Sequence, residues 1–146
     1  MEEAIRRISA GLGSGVDTPD LYAETIAKSF CLSIDQAHAV HPNYAGKHEA
    51  QHAPKLNGGL VIKTNQNQRY TTNGVTGFVL RELARMNDLP IEEFCVRNDC
   101  PCGSTIGPTI STRTGVRTVD AGMPQLSMHS CREVMGTADC KFAFFL

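Results

Sequence analysis

The chain has 146 residues, 41% of them hydrophobic, with 14 basic and 15 acidic side chains and a formal net charge of −1. That length suits one domain with a real core and is short for two. The near balance of charge gives no electrostatic case for nucleic acid or an anionic membrane, and neither is expected as a partner. No apolar run reaches the roughly 18 residues that a spanning helix needs. The opening MEEAIRRISAG is charged where a secretory signal would be apolar. Six cysteines in such a chain are expected as free thiols of a cytoplasmic protein rather than as a disulfide framework.

Between Glu2 and Ser9, the residues Ala4, Ile5 and Ile8 have helical spacing, and GLGSG from Gly11 to Gly15 predicts a flexible turn after them. Asp17 to Lys28, with Pro19 near its start and Leu21 and Ile26 inside, predicts a second helical or mobile segment. Phe30 to Ile34 predicts a buried strand. Asp35 then falls at its carboxyl end, where open α/β sheets place ligands and catalytic groups.

From Ser33 to His52 the chain gathers Asp35 and four of its five histidines, His38, His41, His48 and His52. Carboxylate and imidazole ligands suit Zn²⁺ or a similar divalent ion. Taken singly, Asp35 reads as a turn or cap residue, and His38 and His41 read as satisfied imidazoles among apolar neighbours. His48 and His52 are spaced to share a helix face, but they lack the glutamate of HExxH and read as surface residues.

Further on, Gly59 to Thr64 and Gln68 to Thr72 predict a hairpin-type excursion, within which Lys63 and Tyr70 read singly as an exposed charge and a cross-strand aromatic. Val75, Phe78, Val79, Leu83 and Met86 mark a helix over Gly74 to Asn87. A strand follows from Glu93 to Arg97, then the loop NDCPCGSTIGP, whose Cys100 and Cys102 stand too close for the usual C-x-x-C spacing. A short helix over Thr105 to Thr114 and a strand over Val116 to Asp120 come next. This alternation predicts an α/β sheet with parallel neighbours and covering helices. The fifth histidine, His129, reads singly as a polar residue at a helix N-terminus, and the apolar end with Phe142, Phe144, Phe145 and Leu146 is expected to need a partner or to drive self-association.

Four phrases, SIDQAHAVHPNY, GLVIKTNQNQRYTTN, VRNDCPCGSTIGP and GMPQLSMHSCRE, occur in this order. Together they resemble the carboxyl-terminal catalytic portion of the aspartyl aminopeptidases, cytosolic zinc metallopeptidases, from about Ile5 to Gly136. The resemblance implies a partial three-layer αβα metallopeptidase domain with a central mixed sheet, formed by residues 1–146 as one unit. It also implies a two-metal zinc site, with Mn²⁺ or Co²⁺ as substitutes, to which Asp35 and His129 each give a ligand. His38, Lys63 and Tyr70 match substrate-binding residues, the lysine facing the acidic side chain of a peptide's first residue. A cation suits that place because a carboxylate gains a charge-assisted bond there.

Other parts of the family's machinery have no counterpart in the sequence. No histidine precedes Phe30, and Glu2, Glu3, Asp17, Asp20 and Glu24 fit none of the upstream motifs that hold the bridging aspartate and the general-base glutamate. No catalytic residue is therefore assigned, and the upstream catalytic half and the inserted dimerisation domain are expected to be absent. The expected function is that of a portion of a peptidase that removes N-terminal Asp or Glu with a metal-activated water. The isolated chain is expected to be inactive, since a catalytic zinc takes three protein ligands and loss of a general base costs a factor of about 10² to 10⁴. Two other readings stand beside it. One is a non-catalytic truncated paralogue that pairs with full-length subunits. The other is a mononuclear zinc module using Asp35 with His38, His41 or His129.

Overall fold

The computed structural model describes residues 1–13 and 15–146. Helix α1 (Glu2–Leu12) runs through Gly11 before it stops at Gly13, so the expected turn starts later than the glycines suggest; Ser14 of that turn lies outside the described residues. Helix α2 (Pro19–Ala27) is capped by Thr18, whose hydroxyl accepts the Leu21 N–H at 3.1 Å, and Pro19 fills a first-turn position where no N–H is needed.

The remaining elements are β1 (Phe30–Ile34), β2 (Ala37–His38), β3 (Leu60–Thr64), α3 (Gly74–Met86), β4 (Ile91–Cys95), α4 (Gly107–Thr114), β5 (Arg117–Gly122), β6 (Pro124–Leu126), β7 (Val134–Met135) and α5 (Thr137–Phe145). A short 3-10 segment, Pro42–Lys47, follows β2. The main sheet has the order β1-β5-β3-β4, with β1 parallel to β5, β3 parallel to β4, and β5 antiparallel to β3. It is the mixed central sheet that the resemblance implies. A smaller sheet, β2-β6-β7, lies past the carboxyl ends of β1 and β5, whose chains continue into β2 and β6.

Strand alternation divides the core between two faces. Leu60, Ile62, Val119 and Ala121 point to one side and pack with Leu80 of α3, while Ala143 and Leu146 close in from the chain's end. Val61 points the other way and packs with Ala37, Tyr70 and Phe94. Full burial of each large aliphatic side chain contributes about 1.5–3 kcal/mol. Helix α3 opens on a reciprocal cap, in which the Asn73 side chain accepts the N–H groups of Val75 and Thr76 and the Thr76 hydroxyl accepts the Asn73 N–H.

Several expectations are corrected. The predicted hairpin does not form. Gln68 has φ 56°, the Asn65 side chain accepts the N–H groups of Asn67 and Arg69, and residues 68–72 form no strand, so β3 takes its partners from β4 and β5. Strand β1 is not buried. It is an edge strand, and Phe30, Leu32 and Ile34 lie 42%, 42% and 49% exposed. Helix α3 forms where it is expected, and it sits on the sheet through Thr76, Gly77, Leu80 and Ala84 while Val75, Phe78 and Met86 face outward. The segment around His129 is a turn with φ 67° rather than a helix, and the helix lies later, where α5 folds the apolar end back onto β3. Phe144 and Phe145 remain exposed on it. No helix among the described residues is long and apolar enough to cross a membrane.

Candidate metal and substrate site

Asp35 follows β1 directly and is pinned by its N–H, which donates to Ala121 O at 2.9 Å. The next residue continues the anchorage, with Gln36 Oε1 accepting the Met123 N–H at 2.8 Å, and Ala37 N–H donating to Met123 O at 3.0 Å. This approach requires Gly122, because a Cβ there would meet Asp35 O at 1.9 Å. The backbone thus fixes the position of Asp35 while its side chain stays 55% exposed.

Lys63 stands on β3, on the face shared with Val61 and Phe94, and its side chain is only 2% exposed. Its Nζ lies 3.4 Å from Asp35 Oδ2, donates to Gln36 O at 3.3 Å, and sits 4.9 Å from the centroid of the Tyr70 ring. Loss of water around the ammonium lowers the Lys63 pKa, and Asp35, followed by Asp120, acts in the opposite sense. The Tyr70 ring packs near Phe94, and its Oη accepts from the Cys102 thiol at 3.4 Å. Burial and then Cys102 push the phenol above its ordinary range, so it stays neutral and keeps its proton to donate.

His38 lies on β2, with its side chain largely exposed. Its pKa is lowered first by loss of water around the ring and then by the positive potentials of His48, His129 and Lys63. The His38 carbonyl faces His48 Nε2 at 3.1 Å, and the His48 ring packs edge-on against Phe94 at 5.6 Å. His129 stands exposed in its left-handed turn, with its N–H donating to Glu133 Oε1. Asp35, His38, Lys63, Tyr70 and His129, five residues from four segments, therefore gather at one end of the sheet. His41 and His52 do not join them. His41 packs against Tyr44 and caps Asn43, and His52 pairs with Glu49. His48 is half-buried rather than a plain surface residue.

Three further residues take part, Gln36, Cys102 and Asp120. Gln36 carries no sequence signal beyond its position, and Cys102 stands out in the sequence only as one of two closely spaced thiols. Asp120, wholly buried in β5, was visible as a charged residue within the strand phrase RTVDAG. All six cysteines are free thiols, as expected.

The donor set decides what metal chemistry the described residues hold unaided. A catalytic zinc takes three protein ligands and an open position, and no group of three His, Cys, Asp or Glu side chains converges among the described residues. Asp35 instead answers the charge of Lys63. Among the described residues these side chains do not make a zinc site by themselves, and the mononuclear module expected as one alternative finds no three converging donors.

The whole chain, residues 1–146, matches the model of the family described as aminopeptidase I zinc metalloprotease (M18). A probable aspartyl aminopeptidase of Ricinus communis is 52% identical over 144 residues, 99% of this chain and 29% of that protein. A solved structure of the Ape4 and Nbr1 complex superposes with a TM-score of 0.90 at 47% identity, covering 98% of this chain and 26% of that one. The S. cerevisiae mApe1 dodecamer superposes with a TM-score of 0.81 at 29% identity, covering 99% and 32%. The chain spans less than a third of the length of each of these proteins.

Proposed function

The chain belongs to the M18 aminopeptidase I zinc metalloprotease family, and on that premise we propose that it supplies the acidic-residue pocket of an aspartyl aminopeptidase acting on peptides with N-terminal Asp or Glu. The observation that carries this is Lys63, an ammonium 2% exposed between the Tyr70 ring and the Asp35 carboxylate. An acidic side chain entering there gains a charge-assisted bond in a place with little water, and a neutral one leaves the ammonium no better answered. Tyr70 offers a neutral hydroxyl beside it, and His38 lines the open side.

In this reading Asp35 and His129 each contribute one ligand to a zinc site, or a Mn²⁺ or Co²⁺ site, whose other donors come from residues outside this chain. The chain alone has no turnover, because no three ligands converge among its described residues. It works in the cytoplasm as part of a self-associated assembly, a reading supported by the dodecamer among the related structures. The competing reading, a non-catalytic protomer that docks on full-length subunits, draws its support from the exposed row Phe30, Leu32 and Ile34.

The test is direct. The purified chain is assayed on Asp- and Glu-containing dipeptides with Zn²⁺, Mn²⁺ or Co²⁺, and its binding of L-aspartate is titrated beside Lys63→Met. No turnover is expected, and L-aspartate binding is expected to be lost in the variant. Metal-dependent turnover abolished by Asp35→Ala and His129→Ala would refute the inactivity of the chain. Equal L-aspartate binding by Lys63→Met would refute the pocket.

A further inference from the structure

Asp120 is a carboxylate with no exposure at all, in the central strand β5, and no role proposed above uses it. Its Oδ2 accepts the Thr71 N–H at 2.6 Å. The backbone beside it is held too, since Thr72 Oγ1 accepts the Asp120 N–H at 3.0 Å and donates to Asp120 O at 3.2 Å. Oδ1 has no partner. Helix α4 begins against this carboxylate, because a Cβ on Gly107, the helix's first residue, would stand 2.4 and 2.6 Å from its two oxygens. The positive end of α4 compensates a negative charge there. Asp120 also sits close enough to Lys63 and Tyr70 to perturb both electrostatically.

A buried charge with an unpartnered oxygen costs free energy. A neutral amide could accept the Thr71 N–H equally well, so the contact alone does not account for a carboxylate. The charge is accounted for when it is shared between the start of α4, the Tyr70–Thr72 segment and the lysine across the sheet. We propose that Asp120 is a positioning residue which, by holding Thr71 against the first turn of α4, sets the Tyr70 ring over Lys63 and so shapes the pocket for an acidic side chain. The pocket's ligand rests on the function proposed above; the positioning of Tyr70 does not.

The chain contains three tyrosines, Tyr22, Tyr44 and Tyr70, so a 3-fluorotyrosine-labelled sample gives three ¹⁹F resonances, with Tyr70→Phe identifying the one that matters. In Asp120→Asn the Tyr70 resonance is expected to move while those of Tyr22 and Tyr44 stay. Alkylation of Cys102 by iodoacetamide, read by peptide mass, is expected to speed up several-fold as the phenol leaves the thiol. Gly107→Ala keeps the charge but drives a Cβ into the carboxylate, and it is expected to move the same resonance. An unmoved Tyr70 resonance and an unchanged Cys102 rate in a folded Asp120→Asn would overturn the proposal. If that variant loses all three resonances together, an unmoved Tyr70 resonance in Gly107→Ala overturns it, and a shifted one supports it. L-Aspartate added to the unmodified chain separates the two readings. A Tyr70 resonance that ignores L-aspartate sinks the acidic-residue pocket, and the two variants still decide the positioning.

Discussion

Asp35 Oδ2 lies 3.4 Å from Lys63 Nζ, and the pair is lopsided, with the lysine side chain 2% exposed and the aspartate side chain 55% exposed. The buried partner therefore depends on the exposed one. Asp35→Asn leaves the buried ammonium with the Gln36 carbonyl at 3.3 Å as its acceptor among the described residues and is expected to cost about 1–2 kcal/mol, less than breaking a fully buried pair because water reaches the aspartate. Lys63→Met removes the charge that needs answering and is expected to be neutral or stabilising. Urea unfolding of both variants checks the sign. Equal or greater stability of Asp35→Asn would mean that the lysine is answered elsewhere.

Zinc equimolar with the chain is expected to leave the urea midpoint where it is, because no three donors converge among the described residues and Asp35 is engaged by Lys63. A resident ligand at a hundred times its Kd would add about 2.7 kcal/mol. A gain of that size, lost in His129→Gln, would show that the turn carrying His129 closes on Asp35 when metal is present.

Asp139 lies in the first turn of α5 with no exposure and accepts two backbone N–H groups, from Asn57 at 2.7 Å and Gly59 at 2.9 Å. Together with the Ala138 N–H, which donates to Asn57 Oδ1 at 3.1 Å, it ties the apolar end of the chain to the turn that leads into β3, the strand of Lys63. Asp139→Ala strands both donors and is expected to cost about 2–4 kcal/mol. Hydrogen exchange at Asn57 and Gly59 is expected to accelerate with it, and unchanged protection there would assign the tie to other contacts.

Glu92 provides a pH signature. Burial, set against the bond from the Lys55 N–H and reinforced by nearby Asp139, raises its pKa above the ordinary 4.5. The folded state then holds this proton more tightly than the unfolded state does. The contribution to stability is present below pH 4.5 and is lost as pH rises through the raised value. Glu92→Gln keeps the acceptor for Lys55 and removes the titration, so its stability is expected to decline less than that of the unmodified chain over this window. Parallel stability curves across the window would rule Glu92 out as the cause.

The sequence by itself determined most of the elements and named five residues of the proposed site. Helices α2 and α3 and strands β1 and β3 followed from capping residues and apolar spacing, which act over a few neighbouring residues. The four phrases carried the family and the residues Asp35, His38, Lys63, Tyr70 and His129. Tertiary structure decided what these residues do to one another. The hairpin failed because Thr71 and Thr72 bond to Asp120 in β5, a partner far along the chain that no local pattern reveals. Burial of β1 was misjudged for a similar reason. An apolar row states only that it favours cover, and the neighbours alone decide whether it is covered. The burial of Lys63 was likewise invisible in GLVIKT, because desolvation of a charge is a property of the folded surroundings. Only the crossing of β5 against β3 and the close passage of Asp35 over Gly122 bring that lysine its carboxylate.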